Sequence, residues 1–427
     1  MKRAVCILGL GYVGLPLACL CAKRNFKVYG LDVNEKIVSA VNSGKSHIDD
    51  ALLSKNVKAL KGKIIATTDA KKAVSNADVV VVCVPTPVTE NKLPDLKPLE
   101  KACRIIASNL HKNQLIIIES TIYPGTVREI VKPILENSGL IAEKDFYLAH
   151  CPERIDPGNK KWALENIPRV LGGLSAKGTK LAEQFYKSIL KSNVLILSSV
   201  ECAEAVKVVE NTFRDVNIAF VNELAKSFDK LGIDVLEVIK GASTKPFGYM
   251  PFFPGPGVGG HCISVDPYYL IERAKQKGFE HEFLMLARKI NDSMAEHVVG
   301  LAETALQKLN KNLQNSNIAL LGLAYKADID DMRESPALRI LKILQEKGAT
   351  PKVFDPHIME KSNCASIDDA VKNADCAILA THHREFLSAL TAKKLKSLNV
   401  KAVIDARNCL DKDAITPKGI IYKGIGH

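Results

Sequence analysis

The chain has 427 residues, 47% hydrophobic and 25% charged, a length beyond one ordinary core and a composition that excludes a disordered or fibrous protein. Its eleven cysteines include no CxxC pair and no Cys/His spacing of a zinc site, which argues against a disulfide framework or structural metal and for a reducing compartment. The formal charge of +12 is spread along the chain without a basic block or interleaved aromatics, so it reads as a solvated surface attractive to small anions, not as a nucleic-acid interface.

The first stretch, MKRAVCILGLGYVG, is basic and apolar, but glycines interrupt it and charge returns at Lys23 and Arg24, so it reads as a strand and turn and not as a signal peptide. No apolar run reaches the roughly 18 residues that a membrane helix needs, and the expectation is a cytoplasmic protein without a membrane partner. The strand AVCIL (4–8) runs into GLGYVG, then a helix LPLACLCAKRN and a second strand KVYGLD. In that unit Gly9 permits the tight turn, Gly11 lets the backbone approach a pyrophosphate, and Gly14 allows helix and strand to pack closely. Asp32 closes the second strand 21 residues after Gly11, where a carboxylate accepts hydrogen bonds from both ribose hydroxyls and favours NAD over NADP. The competing reading is a glycine turn with no ligand, which the placement between strand and helix disfavours.

Unbroken apolar runs follow at 79–84 (VVVVCV), 115–119 (LIIIE) and 146–150 (FYLAH), as expected of strands buried on both faces. Each ends in a polar loop: PTP at 85–87, STIYPGT at 120–126, CPERIDPG at 151–158. Ligands of open parallel sheets bind beyond the carboxyl ends of the strands, so these loops are expected to line a cofactor and reaction site.

Residues 201–232 contain no internal Gly or Pro and predict one long helix ending at Gly232. Such a helix suits packing against its twin in a homodimer, or wrapping between two domains of its own chain. Lys207, Asn211 and Arg214 fall at i, i+4 and i+7 on one face, either a functional row or a solvated polar stripe. Further on, PGPGVGGHCISVDPYYL (254–270) crowds glycines and prolines around Cys262, with Asp266 four residues beyond. On residue types alone Cys262 is a nucleophile, a metal ligand beside His261, or a buried small hydrophobe; adjacent residues seldom share a metal, and no other ligands cluster nearby.

A repeat completes the pattern. AVSNADVVVVCVPT, from Ala73, is echoed by AVKNADCAILATHH, from Ala370, inside a second βαβ run NIALLGLAYK, SPALRILKILQEKG, TPKVFDPH. Its turn, GLAYKADIDDMRESP, lacks the three-glycine fingerprint and carries Lys326 and Arg333, which suits a different phosphate ligand. The expected fold is therefore α/β, with two Rossmann-like doubly wound parallel-sheet domains joined by a long central helix. The expected domains are 1–200 for NAD, 201–300 for the central helices and cysteine loop, and 301–427 for the second sheet.

Taken together, GLGYVGLPLA, STIYPGT, CPERIDPG, KVVENTFRDVNIAFVNEL, PGPGVGGHCISVDP and GLAYKADIDDMRESPA resemble the UDP-sugar 6-dehydrogenases of the UDP-glucose/GDP-mannose dehydrogenase family, over nearly the whole chain. The resemblance implies NAD-dependent, four-electron oxidation of the C6 alcohol of a UDP-hexose to a uronic acid. Cys262 would be the nucleophile that holds the aldehyde as a thiohemiacetal and then a thioester. Lys207 and Asn211 would hold the oxygen that becomes negative at C6, Asp266 would assist proton transfer, and Glu153, supported by Thr121, would activate water. Gly9, Gly11, Tyr12, Val13, Gly14, Asp32, Thr86, Thr121 and Arg333 would meet NAD. Arg154, Ile155, Lys207, Asn211, Arg214, Gly259, Tyr325 and Lys326 would meet the UDP-sugar, and no residue would bind metal.

The form GGHC points to the UDP-N-acetylhexosamine branch. A His-x-Arg pair typical of enzymes for UDP-N-acetylmannosamine is replaced before the loop by Pro246 and Gly248, which tilts the expected substrate to UDP-N-acetylglucosamine, with UDP-N-acetylmannosamine and UDP-glucose as alternatives. Single-step 3-hydroxyacid and 6-phosphogluconate type dehydrogenases share the fingerprint and a helix bearing Lys and Asn, but have no use for a cysteine loop or a second sheet. A non-catalytic NAD- or UDP-sugar-binding regulator would not need Cys262, Lys207 and Asp266, all of which are present.

Overall fold

The structure is a computed structural model that describes residues 4–89, 91–155, 162–260 and 262–427. His261 and residues 156–161 of the CPERIDPG loop, singled out above, lie outside them. The chain forms two compact units: Met1–Glu210 with Tyr268–Phe279, and Asn211–Pro267 with Glu280–His427.

In the first unit eight strands form one sheet in the order β3-β2-β1-β4-β5-β6-β7-β8. Their ranges are β1 Ala4–Leu8, β2 Lys27–Leu31, β3 Ile64–Thr67, β4 Val79–Val82, β5 Leu115–Ile118, β6 Tyr147–His150, β7 Arg169–Gly173 and β8 Val194–Ile196. The runs of Val and Ile at β4 and β5 suit a pleated surface covered on both faces, and every residue of these two strands is buried. Neighbouring strands are parallel except β6 and β7, where Ala149 pairs with Gly173 and His150 with Gly172 in antiparallel register. Helix Gly14–Lys23 lays Leu15, Leu17, Ala18, Cys19 and Leu20 into the core with Val5, Ile7, Val81 and Ile117. Each fully buried aliphatic side chain of this kind contributes about 1.5–3 kcal/mol.

The second unit repeats the plan with five parallel strands ordered β10-β9-β11-β12-β13. Here β9 is Ile318–Leu321, β10 Lys352–Phe354, β11 Cys376–Leu379, β12 Ala402–Asp405 and β13 Ile421–Gly424. Helix Pro336–Glu346 starts where Pro336 supplies a preset φ and the Ser335 hydroxyl accepts the Ala337 amide. One face of the sheet packs Leu320, Ile378 and Ile404 against Ile340, Leu344 and Val298, and the other packs Leu321, Leu379 and Val403 against Phe386 and Leu395.

The long helix is Val200–Leu231, and the chain passes from the first unit to the second within it, after Glu210. It stops at Gly232, whose φ of +70° ends the helix without Cβ strain. All eleven cysteines are thiols, most of them buried.

Candidate active site

In the first unit, β1 and β2 end side by side and the glycine turn closes over them. The Gly9 amide donates to the Leu31 carbonyl at 2.8 Å, and the Leu10 amide donates to Asp32 Oδ2 at 2.8 Å. Asp32 Oδ1 accepts the Asn34 amide at 2.9 Å, so the carboxylate is held at the strand end. A Cβ on Gly14 would lie 1.8 Å from the Gly9 carbonyl oxygen, which is why no larger residue fits there. The helix that starts at Gly14 has no side-chain cap from Val13 and no acidic residue in its first turn, so its amides are left for an anion. Beside Gly11 a Cβ would meet nothing within 4 Å. Carboxylate, open glycine and uncapped helix together fit a dinucleotide. Tyr12 is half exposed at this turn.

The polar loops gather at the same end of the sheet. Thr86 is fixed through its carbonyl, which accepts the Tyr269 hydroxyl at 2.8 Å. Thr121 is half-buried and follows Ser120, whose hydroxyl donates to the Val84 carbonyl at 2.7 Å. Further along that loop, the buried Glu204 carboxylate accepts the amides of Gly125 and Val127 at 2.5 and 2.7 Å. Burial pushes Glu204 up to about 7, against the pull of those amides.

Glu153 follows β6, and its carboxylate accepts the Ile155 amide and lies 3.9 Å from the Lys207 ammonium. Burial pushes it up to about 7, Lys207 and then Arg169 pull it down, and Glu119 pushes it further up. Arg169, itself buried, donates to the Pro152 carbonyl at 3.1 Å and sits 3.7 Å from Glu119. Arg154 pairs with Glu210 at 2.6 Å and donates to the Pro168 carbonyl at 2.8 Å.

In the second unit, a buried polar network fixes the start of the cysteine loop. Arg288 meets Asp215 at 2.6 Å, Asn291 donates to Asp215 Oδ1 at 2.8 Å, and Asn222 donates to Asn291 at 2.9 Å. The carbonyl oxygen of the Asn222 side chain then accepts the Gly255 amide at 2.9 Å. The loop packs on the turn after β9: the Gly260 amide donates to the Arg333 carbonyl at 2.9 Å, and a Cβ on Gly260 would lie 2.8 Å from the Tyr325 ring. Gly259 meets the same tyrosine, with a Cβ there falling 2.8 Å from Tyr325 Cβ.

Cys262 is half-buried. Its carbonyl accepts the amides of Val265 and Asp266 at 3.0 and 2.8 Å, and helix Asp266–Gln276 begins at that point. Asn211 Nδ2 donates to Asp266 Oδ2 at 2.5 Å, with both side chains buried. The sequence-predicted residues thus fall into two groups, Lys207 with Glu153 in the first unit and Asn211, Asp266 and the Cys262 turn in the second. Lys207 and Asn211 are one turn apart on the long helix, while Arg214 is exposed further along it. Arg333 is exposed and pairs with Asp331 at 2.6 Å, and Lys326 is exposed in the same turn. Sequence reading missed Glu204, Arg169 and the Asn222–Asn291 pair; their one signal was a polar residue in an otherwise apolar helix face or strand.

The first sheet thus carries a turn that fits a dinucleotide, and the second unit carries a cysteine turn tied to a buried acid, parts that suit an oxidoreductase. Comparison with known proteins carries this to the family. Three parts of the UDP-glucose/GDP-mannose dehydrogenase family match in order: the NAD binding domain over residues 3–190, the central domain over 201–293 and the UDP binding domain over 319–412. The chain is 39% identical to the UDP-N-acetyl-D-mannosamine dehydrogenase of Pyrococcus horikoshii, over 99% of both chains. It is 36% identical to the UDP-N-acetyl-D-glucosamine 6-dehydrogenase of Pseudomonas aeruginosa, over 96% of this chain and 97% of that one. Among solved structures, the UDP-D-ManNAc dehydrogenase from Pyrococcus horikoshii superposes with a TM-score of 0.93 at 37% identity, covering 99% of both chains. The NDP-N-acetyl-D-galactosaminuronic acid dehydrogenase from Methanosarcina mazei gives 0.88 at 33% identity, covering 100% of this chain and 95% of that one. The chain belongs to the UDP-glucose/GDP-mannose dehydrogenase family and is an NAD-dependent UDP-sugar dehydrogenase of its UDP-N-acetylhexosamine branch.

Proposed function

We propose that the enzyme oxidises the C6 alcohol of a UDP-N-acetylhexosamine to the carboxylate, and that Cys262 makes this one continuous four-electron reaction. The observation that carries the reading is the Cys262 turn, whose carbonyl is capped by the amide of Asp266 while Asn211 holds the Asp266 side chain. NAD, when bound, accepts the hydride in each oxidation. In the first step the C6 hydroxyl loses its proton toward Asp266, while Lys207 and Asn211 hold the oxygen on which charge develops. The Cys262 thiolate adds to the aldehyde carbon, and loss of a second hydride from that carbon leaves a thioester. Water, giving its proton to Glu153, adds to the thioester carbonyl; the carbon–sulfur bond breaks and the thiolate returns. One alcohol and one water become one carboxylate, with two NADH and three protons released.

The epimer we propose is UDP-N-acetylmannosamine, supported by the name of the Pyrococcus horikoshii relative, which is similar over its full length. The second reading, UDP-N-acetylglucosamine, keeps two supports: Pro246 and Gly248 in place of the His-x-Arg pair, and the Pseudomonas aeruginosa relative. For assembly we propose a homodimer through the long helix, supported by Val209, Phe213 and Phe220, which are about half exposed on it. We place the enzyme in the cytoplasm, with its eleven thiols in support. Among the described residues, no helix is long and apolar enough to cross a membrane.

The test is an NADH assay on purified enzyme with UDP-N-acetylmannosamine, UDP-N-acetylglucosamine, UDP-N-acetylgalactosamine and UDP-glucose, with the products weighed by mass spectrometry. The expected result is two NADH and one uronic acid per sugar nucleotide consumed, at the highest kcat/KM for the mannosamine. One NADH with an aldehyde or ketone product would refute the four-electron reading.

A further inference from the structure

The internal repeat can be laid out atom by atom. In the first unit Gly9 donates to the Leu31 carbonyl and Leu10 to Asp32; in the second, Gly322 donates to the Phe354 carbonyl at 2.9 Å and Leu323 to Asp355 Oδ2 at 2.6 Å. Gly9-Leu10-Gly11-Tyr12 therefore corresponds to Gly322-Leu323-Ala324-Tyr325, and Asp32 to Asp355. The echoed segments from Ala73 and Ala370 place His383 where the first unit has Thr86.

The two turns differ at the carboxylate. Asp355 is fully buried, and its Oδ2 also accepts the Ala324 amide at 3.0 Å and faces His383 Nε2 at 3.1 Å. On the far side of the imidazole, Nδ1 accepts the Asp328 amide at 2.9 Å. A ring nitrogen that accepts an amide carries no proton, so the ring is neutral and its one N–H, on Nε2, points at Asp355. Both ends of this fully buried ring are committed. Although Asp328, His357, His383 and Glu385 crowd within 4.8 Å, His383 has no lone pair left for a metal.

We propose that His383 is the positioning residue of the sugar-nucleotide turn: it ties the tip of the turn at Asp328 to the strand-end carboxylate of Asp355, and by occupying that carboxylate it denies the second unit a dinucleotide ribose. Tyr325 and Lys326 lie between the two tied points, at Ala324 and Asp328. The Thr381 hydroxyl, from the same segment as His383, donates to the Ala324 carbonyl at 2.5 Å and fixes the other edge. Against the burial that raises it, Asp355 is held down at about 2 by His383 and the two amides, so it stays a full acceptor at neutral pH. The first unit has Thr86 at this position, and Asp32 is half-buried there, whereas Asp355 is fully buried. The same local plan thus serves as an open dinucleotide turn in one unit and a latched turn for a single diphosphate in the other. The proposal rests on the reading of the second unit as the holder of UDP.

The experiment is calorimetric titration of the full chain with UDP and, separately, with NAD. His383→Asn keeps an acceptor near the place of Nδ1, and His383→Gln keeps a donor near that of Nε2. His383→Ala removes both. The Ala variant should weaken UDP about tenfold or more and leave NAD within about twofold, and Asn and Gln should each recover part of the loss. If the Ala variant does not fold, the same contrast is read from the other two. UDP binding within about twofold of wild type in the folded variants, or UDP and NAD weakening in parallel, overturns the proposal. Amide exchange on the wild-type protein decides independently: the Asp328 amide should be protected before UDP is added, and rapid exchange there refutes the latch. A wild-type chain that binds NAD but not UDP would instead sink the underlying reading, and the latch with it.

Discussion

The Lys207–Glu153 pair allows a quantitative expectation. The ammonium lies 3.9 Å from the carboxylate, and each side chain is only 12% exposed. At an effective dielectric near ~20, two unit charges at that distance attract by about 4 kcal/mol, which sets a ceiling of about 3 pKa units on what Lys207 does to Glu153. Water at the exposed edge reduces this to about 1–2 units. Glu153 sits at about 7, so a step in which it accepts a proton from water should speed up as pH rises through that value. Lys207→Met removes the charge that favours the carboxylate, so the acidic limb of kcat should move to higher pH by about 1–2 units, on top of a large loss of rate. Lys207→Arg keeps a cation in place and should leave the limb within about 0.5 unit of wild type. The assay is NADH formation at saturating substrates from pH 5.5 to 9.5 at constant ionic strength. A Met variant whose limb stays at the wild-type position, or a wild-type rate that falls through pH 7, would refute the assignment of Glu153 as the base.

Cys262→Ser should still bind NAD and UDP-sugar but lose more than about 1,000-fold in turnover, because a hydroxyl is a far poorer nucleophile at neutral pH; intact-protein mass spectrometry should reveal any stalled adduct, and near-normal two-NADH turnover would exclude the thiol mechanism. Asp32 should make the enzyme prefer NAD over NADP by about 100-fold in kcat/KM, and Asp32→Ser should narrow that ratio below about tenfold; equal use of both cofactors by the wild type would show that the carboxylate does not face the ribose.

Much of the frame was legible from short-range pattern. The Val run of β4 and the Ile run of β5 read as strands covered on both faces and are such strands, and the expected helix over 201–232 is the observed Val200–Leu231. What stayed hidden depends on partners distant in sequence. The antiparallel pairing of β7 with β6 is a matter of chain path, which no local periodicity encodes. Asn222 and Asn291 are 69 positions apart, and only folding reveals that together they hold Gly255. Asp355 and His383 belonged to segments already noticed as repeats, yet their bond emerges only when β9, β10 and β11 are set side by side.

The proposed role of Cys262 requires the other sulfurs of the chain to stay quiet. Burial pushes Cys6, Cys103, Cys151 and Cys376 up to about 12 and Cys19 up to about 11, so at neutral pH almost none of each is thiolate. Peroxides and alkylating agents, which react with thiolates, therefore have few targets on a cysteine-rich chain. The exception is Cys202, which is exposed and is drawn downward by the hydroxyls of Ser199 and Ser198 at the start of the long helix. Any electrophilic inhibitor aimed at Cys262 will meet Cys202 as its rival, and a Cys202→Ser background is the one in which the reactivity of the loop thiol can be timed alone.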